Sequence, residues 1–208
     1  MKSFSLTILI CAIFTAMAFG QEPAQEDTVL ADARKQELNK RHFLGSSLWV
    51  LYDKFTPDPA GFYQLNYGYH YTLKDVLIVE AITWEYSEPL GTYENSEEMY
   101  PGKIRAYGIG VGYQRFHWKN LFTTILATPF MQQFYDSDDK KIQKGFQLYL
   151  QLILGYRFEF FNKLLFVEPA FAFKYWPVNT NFPKSFADVE DGAPNYKFEP
   201  SLNFGFRF

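Results

Sequence analysis

Histidine is the usual general base, and this chain has three: His42, His70 and His117. A histidine beside a serine can activate the hydroxyl as a nucleophile. Ser46 and Ser47 follow His42, but on an extended chain they point to opposite faces, and no serine stands at a recognisable spacing from any of the three. The single cysteine, Cys11, lies in an apolar N-terminal run, so the chain beyond that run can form neither a disulfide nor a thiolate metal site. Carboxylates gather at Glu88, Glu94, Glu97 and Glu98, at Asp136, Asp138 and Asp139, and at Asp188, Glu190 and Asp191. Hard cations such as Ca²⁺ favour such clusters, but charge runs in loops are ordinarily just solvated. No glycine-rich phosphate loop, zinc spacing or catalytic triad pattern is present, and no cofactor or metal is expected.

The elements that must carry these residues follow from composition. The 208 residues carry 20 Lys+Arg against 23 Asp+Glu, a net charge of −3. That leaves no cationic excess to neutralise phosphates, which argues against nucleic acid as a partner. Aromatic residues make up 20%, with 23 Phe and 15 Tyr, more than a soluble domain ordinarily carries. Lys2, the apolar run Phe4 to Phe14, and the small-residue patterns Ala16-Met17-Ala18 and Ala18-Phe19-Gly20 read as a signal peptide over 1–20. The run is too short for a membrane anchor. Ile10 before Cys11 argues against lipidation. Residues 21–42 are charged, and read as a periplasmic segment: a solvated tail or short helix, or alternatively an amphipathic helix against the membrane surface through Val29, Leu30, Ala33 and Leu38.

From Phe43 the pattern alternates with period two. Strands are expected near 43–52, 61–72, 76–86, 104–116, 121–135, 144–160, 164–176 and 196–208. Short turns at Thr72–Asp75, His117–Asn120 and Phe161–Lys163 alternate with longer loops at 53–60, 87–103, 136–143 and 177–195. The short turns recur at even spacing, and the strands before them end alike: Gly68-Tyr69-His70-Tyr71, Gly112-Tyr113-Gln114, Gly155-Tyr156-Arg157-Phe158 and finally Gly205-Phe206-Arg207-Phe208. Short turns at one end and long loops at the other mark an all-β, eight-stranded, antiparallel up-and-down transmembrane barrel over 43–208. A soluble lipocalin-like barrel is the fold alternative.

Parity puts Glu80, Glu159, Glu168 and Glu199 on the inward face, with Arg157, Lys174, Lys197 and Arg207. Gln64, Asn66, His70, Gln114, Thr124, Gln147, Gln151 and Asn203 accompany them. Eight strands leave an interior only wide enough for side chains. Inward charges must pair, because an unpaired buried charge costs several kcal/mol. The expectation is a polar network plugging the lumen. Ile82, Trp84, Phe130 and Phe134 have the parity to supply an apolar lining instead.

The last strand, ending in Phe204-Gly205-Phe206-Arg207-Phe208, resembles the C-terminal signal of bacterial outer-membrane barrels. Together with the leader it makes the chain similar to the small eight-stranded group of OmpA-type, OmpX-type and OmpW-type barrels. That resemblance implies residence in the outer membrane of a Gram-negative cell, with both termini periplasmic and a monomeric state. It implies outer-membrane lipid, lipopolysaccharide and the barrel-assembly machinery as partners, with Phe204, Phe206 and Phe208 as the assembly signal. It allows a structural or surface-interaction role through acidic loops, a narrow porin-like path for small apolar solutes, or lipid A chemistry. For the last, Pro169 and Pro200 in adjacent strands would each remove a ladder donor and weaken a seam.

Overall fold

The structure, a computed structural model, describes residues 40–53, 55, 61–92 and 99–208. The signal-peptide reading, nearly all of the charged segment, and Glu94, Glu97 and Glu98 lie outside the described residues. The strands are β1 (His42–Ser47), β2 (Tyr63–His70), β3 (Asp75–Tyr86), β4 (Gly102–Phe116), β5 (Leu121–Asp136), β6 (Lys141–Tyr156), β7 (Phe158–Phe160), β8 (Leu165–Thr180) and β9 (Tyr196–Arg207), with short helices α1 (Trp49–Asp53) and α2 (Lys184–Glu190).

Consecutive strands pair antiparallel from β1 to β6. Then β6 and its continuation β7 both pair with β8, β8 with β9, and β9 returns to β1. The result is a closed ring of eight staves in up-and-down order. Closure removes every exposed sheet edge, which a lipid phase demands, since it offers backbone groups no water. The turns at 71–74, 117–120 and 161–164, and the two ends of the ring's chain, share one end, termed the short-turn end.

Exposure alternates along each stave. In β5 every even residue from Phe122 to Phe134 is buried. The outward positions are apolar and open: Ile109 is 68% exposed, Val111 65% and Phe171 74%. Inside lie Arg157 and Glu80, each 1% exposed. Charges within and aliphatic side chains outside invert the soluble pattern, so the lipocalin alternative fails and the ring is a transmembrane barrel. Among the described residues no helix is long and apolar enough to cross a membrane.

Several boundaries differ from the sequence reading. His42 already belongs to β1. That strand stops at Ser47 rather than running to 52, because the Trp49 N–H donates to Ser47 Oγ at 3.2 Å and opens α1. The third long-end connection is a tight turn, not a loop over 136–143. Asp136 Oδ1 accepts the N–H groups of Asp138 and Lys140 at 3.0 and 2.9 Å. The last connection contains α2.

The proline seam does not exist as expected. β8 and β9 pair in unbroken register from Leu165↔Phe206 to Tyr175↔Tyr196. The Leu48 N–H donates to Leu202 O and the Phe208 N–H to His42 O, so even-numbered β9 residues turn their backbone polar groups toward β1. The donor that Pro200 lacks is therefore on that side, not in the β8–β9 ladder. By the same alternation Pro169 faces the β6–β7 stave, at the height where it is interrupted at Arg157.

Candidate functional site

The lumen holds most of the chemistry-bearing residues, in layers. Nearest the short-turn end sits Arg157, placed by the interruption between β6 and β7. Its Nε donates to Glu168 Oε1 at 2.7 Å and its Nη2 to Gln114 Oε1 at 3.1 Å. Its Nη1 lies 3.5 Å from His70 Nε2. The guanidinium also lies 5.0, 4.8 and 4.2 Å from the ring centres of Phe43, Phe116 and Phe166. A planar, weakly hydrated cation suits such a collar better than an ammonium would. Glycines seat these rings. A Cβ on Gly68 would run into the Phe43 ring, and one on Gly205 into Phe166. At the rim, Arg207 Nη1 meets Glu159 Oε1 at 3.1 Å.

In the middle layer Glu80 is held by neutral donors. Gln64 Nε2, Thr128 Oγ1 and Gln151 Nε2 lie 2.6, 2.8 and 3.5 Å from its carboxylate. No ion pair to Glu80 is formed among the described residues. On the β8–β9 wall Lys174 binds Glu199, with Lys197 Nζ 3.9 Å from the same carboxylate. The sequence-read cations and acids thus face inward, in three separate groups, with Glu80 apart.

Above them the lining turns aromatic. Ile82, Ala106, Phe130, Tyr149 and Trp176 form a buried cluster. Trp84 stacks on Phe130 at 5.4 Å and 12°, and meets Tyr149 edge-on at 5.4 Å. One layer below, Gly110 opposite Glu80 makes room for Thr128, with which a Cβ would collide. A cavity of about 360 Å³ lies between the layers, bounded by Gln64, Glu80, Trp84, Tyr149, Lys174 and Glu199 among others. The lumen is therefore neither wholly polar nor wholly filled.

At the long-loop end α2 packs on residues of β4 and β5. Phe186, 1% exposed, stacks on Tyr100 at 5.1 Å and meets Phe134 at 5.4 Å. The Tyr100 hydroxyl donates to Glu190, which also accepts from Asn179 Nδ2 at 3.3 Å. Burial pushes the Glu190 carboxyl above the usual carboxylate range, the two hydrogen bonds opposing it. Burial and the facing Glu190 likewise push the Tyr100 hydroxyl up. Sequence reading missed this helix. Its signal was the pair Phe186 and Val189 at helical spacing within an otherwise polar loop.

The histidines have no serine partner in the hydrogen bonds described. His42 Nδ1 meets Tyr67 Oη at 2.6 Å, and His117 Nε2 meets Thr123 Oγ1 at 2.9 Å. His70 belongs to the Arg157 group. Of the acidic loop residues, Asp136 closes its own turn and Asp139 binds Lys103 at 2.6 Å. Among the described residues no group of three His, Cys, Asp or Glu could hold a metal. Phe206 and Phe208 face outward, 44% and 50% exposed, and Phe208 stacks on His42 at 5.8 Å.

No family model matches the chain, and no curated protein matches it. Among solved structures it is similar to Neisserial surface protein A, at 9% identity and a TM-score of 0.44, covering 81% of this chain and 95% of that one. It is also similar to the attachment invasion locus protein Ail of Yersinia pestis, solved with the heparin analogue sucrose octasulfate. There the identity is 11% and the TM-score 0.40, over 81% of this chain and 94% of that one.

Proposed function

We propose that the protein is a monomeric outer-membrane barrel with a structural or surface-interaction role, carried by its long-loop end rather than by transport or catalysis. The observation that supports this reading is what fills the lumen: the Arg157–Glu168 group and its ring collar sit toward one end, and Phe186 packs on Tyr100 and Phe134 toward the other. A surface built this way offers its connections, not its interior, to partners. Outer-membrane lipid and lipopolysaccharide surround the wall, and the barrel-assembly machinery reads Phe204, Phe206 and Phe208. Both termini are periplasmic in this reading.

The orientation is testable with cysteines, since Cys11 is the chain's only native one. A membrane-impermeant maleimide should label Ser137→Cys on intact cells and Asn162→Cys only after the outer membrane is opened. The reverse pattern contradicts the reading. A second function is favoured by one observation, the 360 Å³ cavity under the aromatic layer of Trp84, Tyr149 and Trp176: a narrow path for small apolar solutes, gated by α2. Lipid A of unchanged mass in cells making the protein is expected, and a mass shift would revive the enzyme reading.

A further inference from the structure

Three amide oxygens at one height of the lumen accept no hydrogen bond among the described residues: Gln132 Oε1, Gln147 Oε1 and Asn179 Oδ1. Gln132 is 0% exposed and Gln147 1%. A buried carbonyl without a donor costs free energy, so three as neighbours need a physical reason. The strands bring them together. Gln147 of β6 lies directly opposite Asn179 of β8. Gln132 of β5 faces Gly145, two residues from Gln147 on the same side of β6. That diagonal is within reach of long side chains. Gly145 keeps the space between them open, since a Cβ there would stand 3.2 Å from Gln132 Oε1 and 2.6 Å from the Thr180 carbonyl oxygen.

The backbone gives a second, independent observation. From Phe166 to Trp176 the even residues of β8 face the lumen. The β6–β8 register then shifts by one residue between Leu148 and Leu150. Val178 therefore turns outward, 37% exposed, and Asn179 turns inward. A bulge interrupts the ladder in order to re-aim a side chain. Without it Val178 would enter this layer in place of the amide. The amides are also oriented from behind. Asn179 Nδ2 donates to Glu190 Oε1 at 3.3 Å, and Gln132 Nε2 to Tyr86 Oη at 3.0 Å. Glu190, at the end of α2, brings one negative charge and makes no ion pair among the described residues.

We propose that Gln132, Gln147 and Asn179, with the Glu190 carboxylate beside them, bind an alkali-metal cation that ties α2 to the barrel wall. Carbonyl and carboxylate oxygens are the ligands of hard cations. One carboxylate balances one positive charge, and a divalent ion would leave a net charge in a buried layer. The three oxygens are sealed from solvent, which excludes an organic ammonium ion. A bare cation needs less space, because it approaches oxygen more closely than a hydrogen-bonded water does. Strands β5, β6 and β8 supply neutral ligands and α2 supplies the charge, so occupancy holds the helix at the long-loop end.

The test is amide hydrogen exchange of the full-length barrel in nanodiscs, at one neutral pH and one ionic strength, in choline, sodium or potassium chloride. Protection at Phe186 and Ala187 should rise several-fold, and saturably, when sodium or potassium replaces choline. The ion that saturates at the lower concentration is the one the site takes. Gln147→Leu should keep the protection seen in choline and lose the response to both alkali ions. Gln132→Leu should do the same, and serves where the first variant does not migrate as a folded barrel. Equal protection of the wild-type protein in the three salts overturns the site. So does a response that survives both substitutions, which would make it a general effect of salt. A response to calcium chloride alone, with none to the alkali ions, overturns the charge argument and the proposal with it.

Discussion

Arg157 is a guanidinium only 1% exposed, and among the described residues its charge is met by one carboxylate, Glu168, at 2.7 Å. Removing one partner of a buried pair leaves the other uncompensated, at a cost of about 3–5 kcal/mol. Glu168→Ala should therefore destabilise the barrel by about that much in urea unfolding from vesicles, whereas Arg157→Met with Glu168→Leu should recover most of it. A double variant no more stable than the single one would mean that the charge pair has no such role. The glycines of the repeat are equally specific. Gly68→Ala must displace the Phe43 ring from the collar, and overpacking of this kind costs about 1–3 kcal/mol. Asn162→Gly, at a positive φ, should change stability in the opposite direction, measured in the same assay.

At the scale of elements, α2 is the part that can move without breaking the ring, since it pairs with no strand and is held by Phe186, Val189 and the Glu190 contacts. Its pH dependence follows from Glu190. A carboxyl whose folded pKa lies above its ordinary value of 4.5 binds its proton more tightly when buried. The stabilisation is full below that ordinary value and is lost as pH rises through the raised one. Backbone protection at Phe186 and Ala187, whose amides both donate to Pro183 O at 2.9 Å, should fall from acid to neutral pH, and Glu190→Gln should flatten the change. Protection that rises with pH would contradict it. Strict alternation made the staves legible in the sequence, because parity separates Ile125 and Leu152, facing lipid, from Thr124 and Gln151, facing the lumen. It could not reveal the end of β1, where one serine hydroxyl outbids a pattern that reads as strand through Tyr52. Nor could it show that Pro200 spares the β8–β9 ladder, because which side a backbone donor faces depends on register. Glu80 was legible as inward but not as held by neutral donors with no ion pair among the described residues, since pairing depends on which layer each charge reaches across the ring.

On the scale of the whole molecule, the proposal of a wall component rather than a conduit rests on an apolar exterior, a lumen of mixed charge and aromatic layers, and α2 packed inward at one end. The cavity of about 360 Å³ runs from Gln114 and Glu168 in the Arg157 layer to Trp49, Phe62 and Leu90 toward the long-loop end. Opening one block alone should not suffice for conduction. Phe186→Ala should remain silent, while a variant that also removes the Arg157 collar through Phe43→Ala and Phe166→Ala should leak, if it still assembles as judged by its folded migration. The most direct test of the closed lumen is single-channel recording of the refolded wild-type barrel in a planar bilayer. A folded, inserted and electrically silent protein is the expected result. Steady conductance from that same protein would show that the layers do not close the lumen, and would put the transport reading in place of the one argued above.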